Sequence, residues 1–139
     1  MINKLCVELV HKVWGAEYII TNSALGCYKI LYLEPNKMGS KHYHKEKNET
    51  FLIAEGNVRL EYEGVETEYL LQNNSFVIVP FHYHRFVAID KPAKIIEISD
   101  QHFDSDTFRL ESARDMTPDE IIEMELAFNE FLNKEKENG

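Results

Sequence analysis

Cysteine is scarce in this chain: Cys6 and Cys27 are the only two in 139 residues, and both sit in apolar, strand-like contexts where a buried free thiol is the ordinary state. That excludes a disulfide framework, and with no thiolate beside the histidines it also excludes a closed structural zinc site. No apolar run approaches the ~20 residues of a membrane span. Met1–Cys6 lacks a charged start followed by a long apolar stretch, so the expected location is cytoplasmic. Basic residues are outnumbered, 15 Lys and Arg against 24 Asp and Glu for a formal charge of −9, which excludes the cationic footprint that nucleic acid demands. Repeats, low-complexity tracts and linkers are missing too, so the chain should form one domain, large enough to fold without covalent staples.

The acidity is unevenly spread. Residues 111–139 hold nine acids and three bases, so −6 of the −9 lies there and the first 110 residues carry only −3. The field of that first part does not exclude an anionic sugar phosphate.

Most of residues 1–110 consists of short strand-like runs broken by turn residues, the pattern of an all-β barrel or sandwich. Val58, Leu60 and Tyr62 alternate with Arg59 and Glu61; Glu63-Gly64 then turns the chain into a second alternating run from Val65 to Leu71. Asn73-Asn74-Ser75 and Asp90-Lys91-Pro92 separate further runs, Phe76–Val79, Phe86–Ile89 and Ile95–Ile98. After Arg114 the character changes. Thr117-Pro118-Asp119-Glu120 joins an N-cap hydroxyl, Pro at the first helical position and Glu three residues past the cap. Ile121, Met124, Phe128, Phe131 and Leu132 follow at helical spacing, predicting a helix to about Asn133. The division expected is a β-barrel over 1–114 and a helix within 115–139 that packs on the barrel or on a second subunit.

Chemistry concentrates in Gly39-Ser-Lys-His42-Tyr-His44-Lys-Glu-Lys47-Asn-Glu49, closing at Gly56. His42 and His44 lie two apart, so on a strand both rings leave one face, and Glu49 can come from the segment turning back beside it. Pro80-Phe81-His82-Tyr83-His84 supplies a further imidazole, His84. Imidazole and carboxylate suit a divalent ion such as Zn, Mn, Fe, Ni or Co, and four protein ligands on one side of an octahedral ion leave two positions for substrate oxygens. His82 shares parity with His84 and either faces the same cavity or belongs to a loop. His11 and His102 are expected at the surface, with His102 near enough to Asp104 and Asp106 to close over a barrel mouth. Lys29 alternates with Leu31 and Leu33, so it points inward if they do, toward a substrate oxygen or Glu97, unless it reaches for solvent. Arg85 should face away and pair with a carboxylate on the outer wall.

The spacing His42-x-His44-x4-Glu49-x6-Gly56, followed by Pro80-x3-His84, resembles the two-part signature of the cupin superfamily. The resemblance implies an antiparallel jelly-roll barrel with these three His and Glu49 as metal ligands; such barrels serve isomerases, epimerases, oxygenases, decarboxylases and binders alike. Trp14-Gly15, Lys29 to Gly56, His84-Arg85, Ile96-Glu97-Ile98 and Asp106-Thr107-Phe108-Arg109 are similar to the cupin module of type II mannose-6-phosphate isomerases. His42-x-His44-x2-Lys47-x-Glu49 resembles the D-lyxose isomerases. These likenesses imply a metal-dependent aldose–ketose isomerase of a small sugar or sugar phosphate, in which a cation holding two oxygens acidifies the C–H bond between them. Lys47, Glu97 or Tyr43 would move the proton, with Lys29, His82 and Arg109 as substrate contacts and an Asp106–Arg109 pair. A non-enzymatic sugar-binding module and an iron or nickel dioxygenase are the alternatives. A homodimer is expected, paired through an apolar outer sheet face or the helix.

Overall fold

A computed structural model describes residues 6–138, so Met1–Leu5 and the expectation resting on them lie outside the described residues. The strands are β1 (Glu8–Lys12), β2 (Gly15–Ser23), β3 (Gly26–Leu33), β4 (Lys37–Met38), β5 (Lys41–Tyr43), β6 (Glu49–Glu55), β7 (Val58–Tyr62), β8 (Val65–Leu70), β9 (Ser75–Ile78), β10 (His84–Ala88), β11 (Ala93–Ser99), β12 (Phe108–Glu111) and β13 (Arg114–Asp115), followed by the helix α1 (Pro118–Asn138). One sheet has the order β1-β2-β3-β11-β6-β9 and the other β12-β5-β10-β7-β8, with β13 and β4 as a separate pair. After the β1-β2-β3 meander, and apart from the β7–β8 hairpin, the chain crosses between two antiparallel sheets from β5 to β12, which is the jelly-roll solution to the edge problem of an all-β chain.

The alternation in the sequence decides which side chains enter the barrel. On β3 the inward set is Cys27, Lys29, Leu31 and Leu33; on β6 it is Glu49, Phe51 and Ile53; on β11 it is Ala93, Ile95, Glu97 and Ser99. Register aligns these sets in levels: Leu31 with Ile95 and Ile53, then Lys29 with Glu97 and Phe51, then Cys27 with Ser99 and Glu49. One end of the barrel interior is therefore apolar and the other ionisable. The apolar end includes Val58, Leu60, Ile78 and Ala88 from the neighbouring strands. Gly56 ends β6 with φ +83°, and a Cβ there would meet the Pro92 carbonyl oxygen at 2.8 Å, so both conformation and space require glycine.

The outer faces of the two sheets differ. Met124 and Phe128 of α1 are buried against Met38, Val87 and Ile89, with Ile121, Phe131 and Leu132 around them, so the helix covers its own barrel. Its start is a capping box: the Glu120 amide donates to Thr117 Oγ1 (3.2 Å) and the Thr117 amide to Glu120 Oε1 (2.9 Å). The helix runs five residues past the expected end at Asn133, because Lys134-Glu-Lys-Glu137 are good helix formers and no breaker precedes Gly139. On the larger sheet, Tyr18, Ile20, Tyr28, Tyr32, Leu52 and Ile98 are all more than a third exposed. No helix among the described residues is long and apolar enough to cross a membrane.

Phe128 fills the gap between helix and sheet, its ring centroid 5.6 Å from Tyr69 and 6.2 Å from Phe131. Phe128→Ala should cost about 3–5 kcal/mol in chemical denaturation, the range for an aromatic deleted from a core. Leu126→Ala, at a side chain 61% exposed on the same helix, should cost no more than about 0.5 kcal/mol.

Candidate metal centre

Strand β5 brings His42 to the barrel interior and His44 follows directly after it, while β10 brings His84 opposite His42 in register. The ligand nitrogens of these three lie within 4.8 Å of one another. Glu49, the first residue of β6, places Oε1 3.4 Å from His44 Nε2 and 3.4 Å from His84 Nε2. His44, His84 and Glu49 are buried and His42 half-buried.

Hydrogen bonds settle two of the tautomers. His42 Nδ1 meets the Ser40 carbonyl at 3.1 Å, His44 Nδ1 the Asp106 carbonyl at 2.9 Å, and His84 Nδ1 the His82 carbonyl at 3.2 Å. A carbonyl only accepts, so Nδ1 of His44 and of His84 carries the proton and Nε2 presents a lone pair, while His42 Nδ1 also meets the Ser40 hydroxyl, a group that can donate or accept, at 3.0 Å. The His44 and His84 lone pairs face Glu49 Oε1, a buried oxygen with no hydrogen-bond partner. Acceptors converging on an unsatisfied acceptor are costly unless a cation sits among them. The residues present fit a divalent ion, and the donor set of imidazole and carboxylate suits a borderline transition ion.

Electrostatics point the same way. Burial holds His42 down at about 3, with His84 adding to it; burial lowers His44 and His84 to about 4 each, helped by Lys47 and His44 respectively. All three are neutral and ready to ligate at neutral pH. Burial and the nearby Glu97 push Glu49 up to about 8. For Glu97 burial acts upward but loses to Lys47 and Lys29, which together draw its pKa down. The two carboxylates flank Lys47 and hold one proton between them near neutrality.

Lys47 is itself buried, 3.5 Å from Glu49 Oε2, 3.5 Å from Glu97 Oε2 and 3.0 Å from His102 Nδ1. It stands there because the turn after β5 is tied down by a residue about sixty positions away. The Asp106 carboxylate accepts the amides of Lys45 (2.9 Å), Glu46 (3.2 Å) and Lys47 (3.2 Å), while its carbonyl takes the His44 proton. Glu97 also accepts from Ser99 Oγ at 3.0 Å. Lys29 lines the same cavity, buried and paired with Glu17 at 3.3 Å. Arg109, cross-strand partner of His42, lines it too.

Several expectations need correction. Tyr43 turns its ring away from the cavity and stacks on Phe108, centroids 5.2 Å apart; with His42 and His44 inward, strand alternation excludes it. His82 does not line the cavity: it precedes β10 in a turn where Phe81 adopts φ +68°, alternation fails, and the ring stacks on Tyr62 at 5.5 Å. Asp106 does not pair with Arg109, its oxygens being occupied by the three amides. His102 is no surface residue. Its backbone is gripped by Asn22 through bonds of 2.8 and 2.9 Å, and its ring bridges Lys47 and Asp104, each at 3.0 Å. Glu17 is likewise a site residue that sequence reasoning passed over; its parity with Ile19 on β2 was the available signal. Arg85 faces the outer wall, 2.8 Å from Glu111.

A cation must displace the proton held on Glu49. Affinity for Zn(II) should therefore fall about tenfold per pH unit below about 8 and level off above it, with close to one proton released per ion, measurable by calorimetry in buffers of different ionisation enthalpy. Glu49→Gln should flatten that slope and weaken binding. Asp106→Ala should weaken Zn(II) binding about 10–100-fold, as loss of a ligand's outer partner does, although Asp106 is not a ligand.

No family model and no curated protein matches the sequence. Solved structures do match. The capsular polysaccharide assembling protein CapF of Staphylococcus aureus superposes with a TM-score of 0.68 at 19% identity over 78% of this chain and 35% of that one. Oxalate decarboxylase of Bacillus subtilis gives 0.66 at 14% identity over 75% of this chain and 30% of that one. A Klebsiella pneumoniae protein with a double-stranded β-helix domain gives 0.62 at 10% identity over 76% and 86%. The chain spans about a third of the length of the first two. What these likenesses share with the chain is its architecture, the cupin jelly roll, or double-stranded β-helix, here carrying a carboxy-terminal helix.

Proposed function

We propose that the protein is a metal-dependent aldose–ketose isomerase of a small sugar or sugar phosphate. The observation that supports this above all is the place of Lys47, a buried ammonium lodged between the ligand Glu49 and Glu97 on the wall of the cavity that holds the histidine cluster. His42, His44, His84 and Glu49 would hold a divalent ion, which would supply Lewis acidity to the substrate's carbonyl and hydroxyl and so make the neighbouring C–H bond acidic. Glu97 is the base. Its Oε2 is engaged by Ser99 and Lys47, leaving Oε1 to take the proton from one carbon and return it to the next. Lys47, coupled through His102 to Asp104, passes the hydroxyl proton between the two oxygens. Lys29 and Arg109 hold the remaining hydroxyl or phosphate groups.

The test is NMR of the metal-loaded protein in D2O with a panel of aldoses and their phosphates. Exchange of the C2 proton with solvent, together with ketose formation, is the expected result. Glu97→Gln should lower the rate by about 10²–10⁴, the usual contribution of a general base, while leaving Zn(II) stoichiometry intact. No exchange with any sugar would remove the proposal. Saturable binding without exchange would instead favour a sugar-binding module, a second reading suggested by a barrel that spans 35% of a capsular polysaccharide assembling protein.

The partner we expect besides the sugar is a second copy of the chain. The larger sheet keeps an uncovered apolar outer face, Tyr18, Ile20, Tyr28, Tyr32, Leu52 and Ile98, whereas α1 already covers the other. Light scattering should give twice the chain mass, and Tyr28→Glu combined with Ile98→Glu should give the monomer mass with the metal site retained.

A further inference from the structure

The cavity extends well beyond the metal centre. Cys27, at the level of Glu49, and Leu33, at the level of Gly15, are six residues apart on β3, about 20 Å of strand at ~3.3 Å per residue. Lining residues occur along that whole length, from Asn22 at one end to Trp14 at the other, enclosing about 1020 Å³. Small-molecule sites span about 300–1,000 Å³, so an oxygenated head seated at the histidines would leave much of this space to the rest of the molecule.

The chemistry of the walls changes along that length. The ionisable groups form an alternating series at the metal end: Glu49, Lys47, Glu97, Lys29 and Glu17, each beside the next. Beyond the level of Lys29 the apolar lining residues are Val10, Val13, Trp14, Leu31, Leu33 and Phe86; Glu17 stands in register with Leu31 but turns its carboxylate back to Lys29, and Ser40 and Ser112 add hydroxyls to the lining. Trp14 reaches across the seam between the two sheets: its carbonyl accepts the Glu34 amide at 2.9 Å, and a Cβ on Gly39 of the opposite wall would lie 3.9 Å from its Cδ1. Lys12, paired with Gly15, brings a second formal charge to this end besides Glu17, whose carboxylate is neutralised by Lys29; Arg109 stands at the other end beside His42.

We infer that the substrate is amphipathic, with a vicinally oxygenated head at the metal centre and an apolar arm, alkyl or aryl, lying along Trp14, Leu31 and Leu33. The inference rests on the isomerase reading and narrows its substrate to an unphosphorylated small sugar that carries an apolar substituent: a phosphate or a further run of hydroxyls would lie against Val10, Trp14, Leu31, Leu33 and Phe86, where unsatisfied oxygens are costly.

Trp14 is the only tryptophan, so its emission reports on the apolar end directly. The Zn(II)-loaded protein is titrated with 2-hydroxybutanoate, 2-hydroxyhexanoate and 2-hydroxyoctanoate, and with a six-carbon aldonate and its terminal phosphate, which share the head but not the arm. Calorimetry should show affinity rising about fourfold per methylene, with Trp14 emission shifting as the arm lengthens, and the aldonate binding at least about tenfold more weakly than 2-hydroxyhexanoate. Val13→Asp, at a side chain 55% exposed where the fold tolerates it, should flatten the dependence on length while binding of 2-hydroxybutanoate persists. Affinity independent of length, or an aldonate or its phosphate binding as tightly as 2-hydroxyhexanoate, would overturn the inference. Equilibrium dialysis reads Zn(II) retention separately. If the ion is not held, a graded Trp14 response to the same series in the metal-free protein still upholds the apolar arm, and its absence sinks that too.

Discussion

Two imidazoles, His44 and His84, whose outer nitrogens are tied to backbone carbonyls, turn their lone pairs on a buried carboxylate oxygen, Glu49 Oε1, that has no hydrogen-bond donor among the described residues, and His42 stands beside them. That arrangement is unfavourable in the bare polypeptide, because neutral His44 and His84 have nothing to give Glu49 Oε1, and one proton on the carboxylate satisfies a single contact at most. It persists because each Nδ1 bond and each strand register is fixed by structure elsewhere: Ser40 before β5, His82 before β10, and the carbonyl of Asp106. A cation among the Nε2 atoms converts the repulsion into binding, and since the unfolded chain offers no such cluster, that affinity adds directly to folding stability.

Asp106 joins the two layers of the site. One residue orients His44 through its carbonyl and folds the Lys45–Lys47 turn through its carboxylate, so the histidine cluster and Lys47, the proposed acid–base group, are placed by the same short 3-10 turn, Asp104–Asp106. His102 continues this outward, gripped by Asn22 and bridging Lys47 to the exposed Asp104. Displacement of that segment would disturb His44 and Lys47 together, so a loop far in sequence positions groups on two sides of a cavity built on strands.

The parts of the site written into single strands were legible, and those made by long-range contacts were not. The inward facing of His42 on β5 and of His44 just past its end, two residues apart, follows from pleat alternation; so does that of Lys29 with Leu31 and Leu33, and applying the same rule to Tyr43 would have removed it. The rule failed at His82, which stands outside β10 beyond a left-handed Phe81. Lys47 sits in a turn, where alternation is silent and solvent is the usual destination of an ammonium; its burial depends on Asp106, Glu49 and Glu97. The nearness of His102 to Asp104 was legible, but its contacts with Asn22 and Lys47, 80 and 55 residues away, were not. Fold class was accessible earlier than site detail because it rests on many repeated local patterns, whereas these roles rest on single contacts.

The division of each central strand explains how so many ionisable groups survive inside a chain of this size. β3, β6 and β11 each give the barrel apolar residues at one end, Leu31 and Leu33, Ile53, Ala93 and Ile95, and ionisable ones at the other, Lys29, Glu49 and Glu97. Burying isolated charges would cost several kcal/mol each, but the charges here alternate in sign through space, Glu17 with Lys29, then Glu97, Lys47 and Glu49, so each is solvated by the next. The apolar levels beneath supply the cooperative core and the helix seals the opposite sheet. Fold stability is thereby concentrated away from the histidines, and the mouth is free to keep an arrangement of unsatisfied acceptors that chemistry requires and packing alone would not retain.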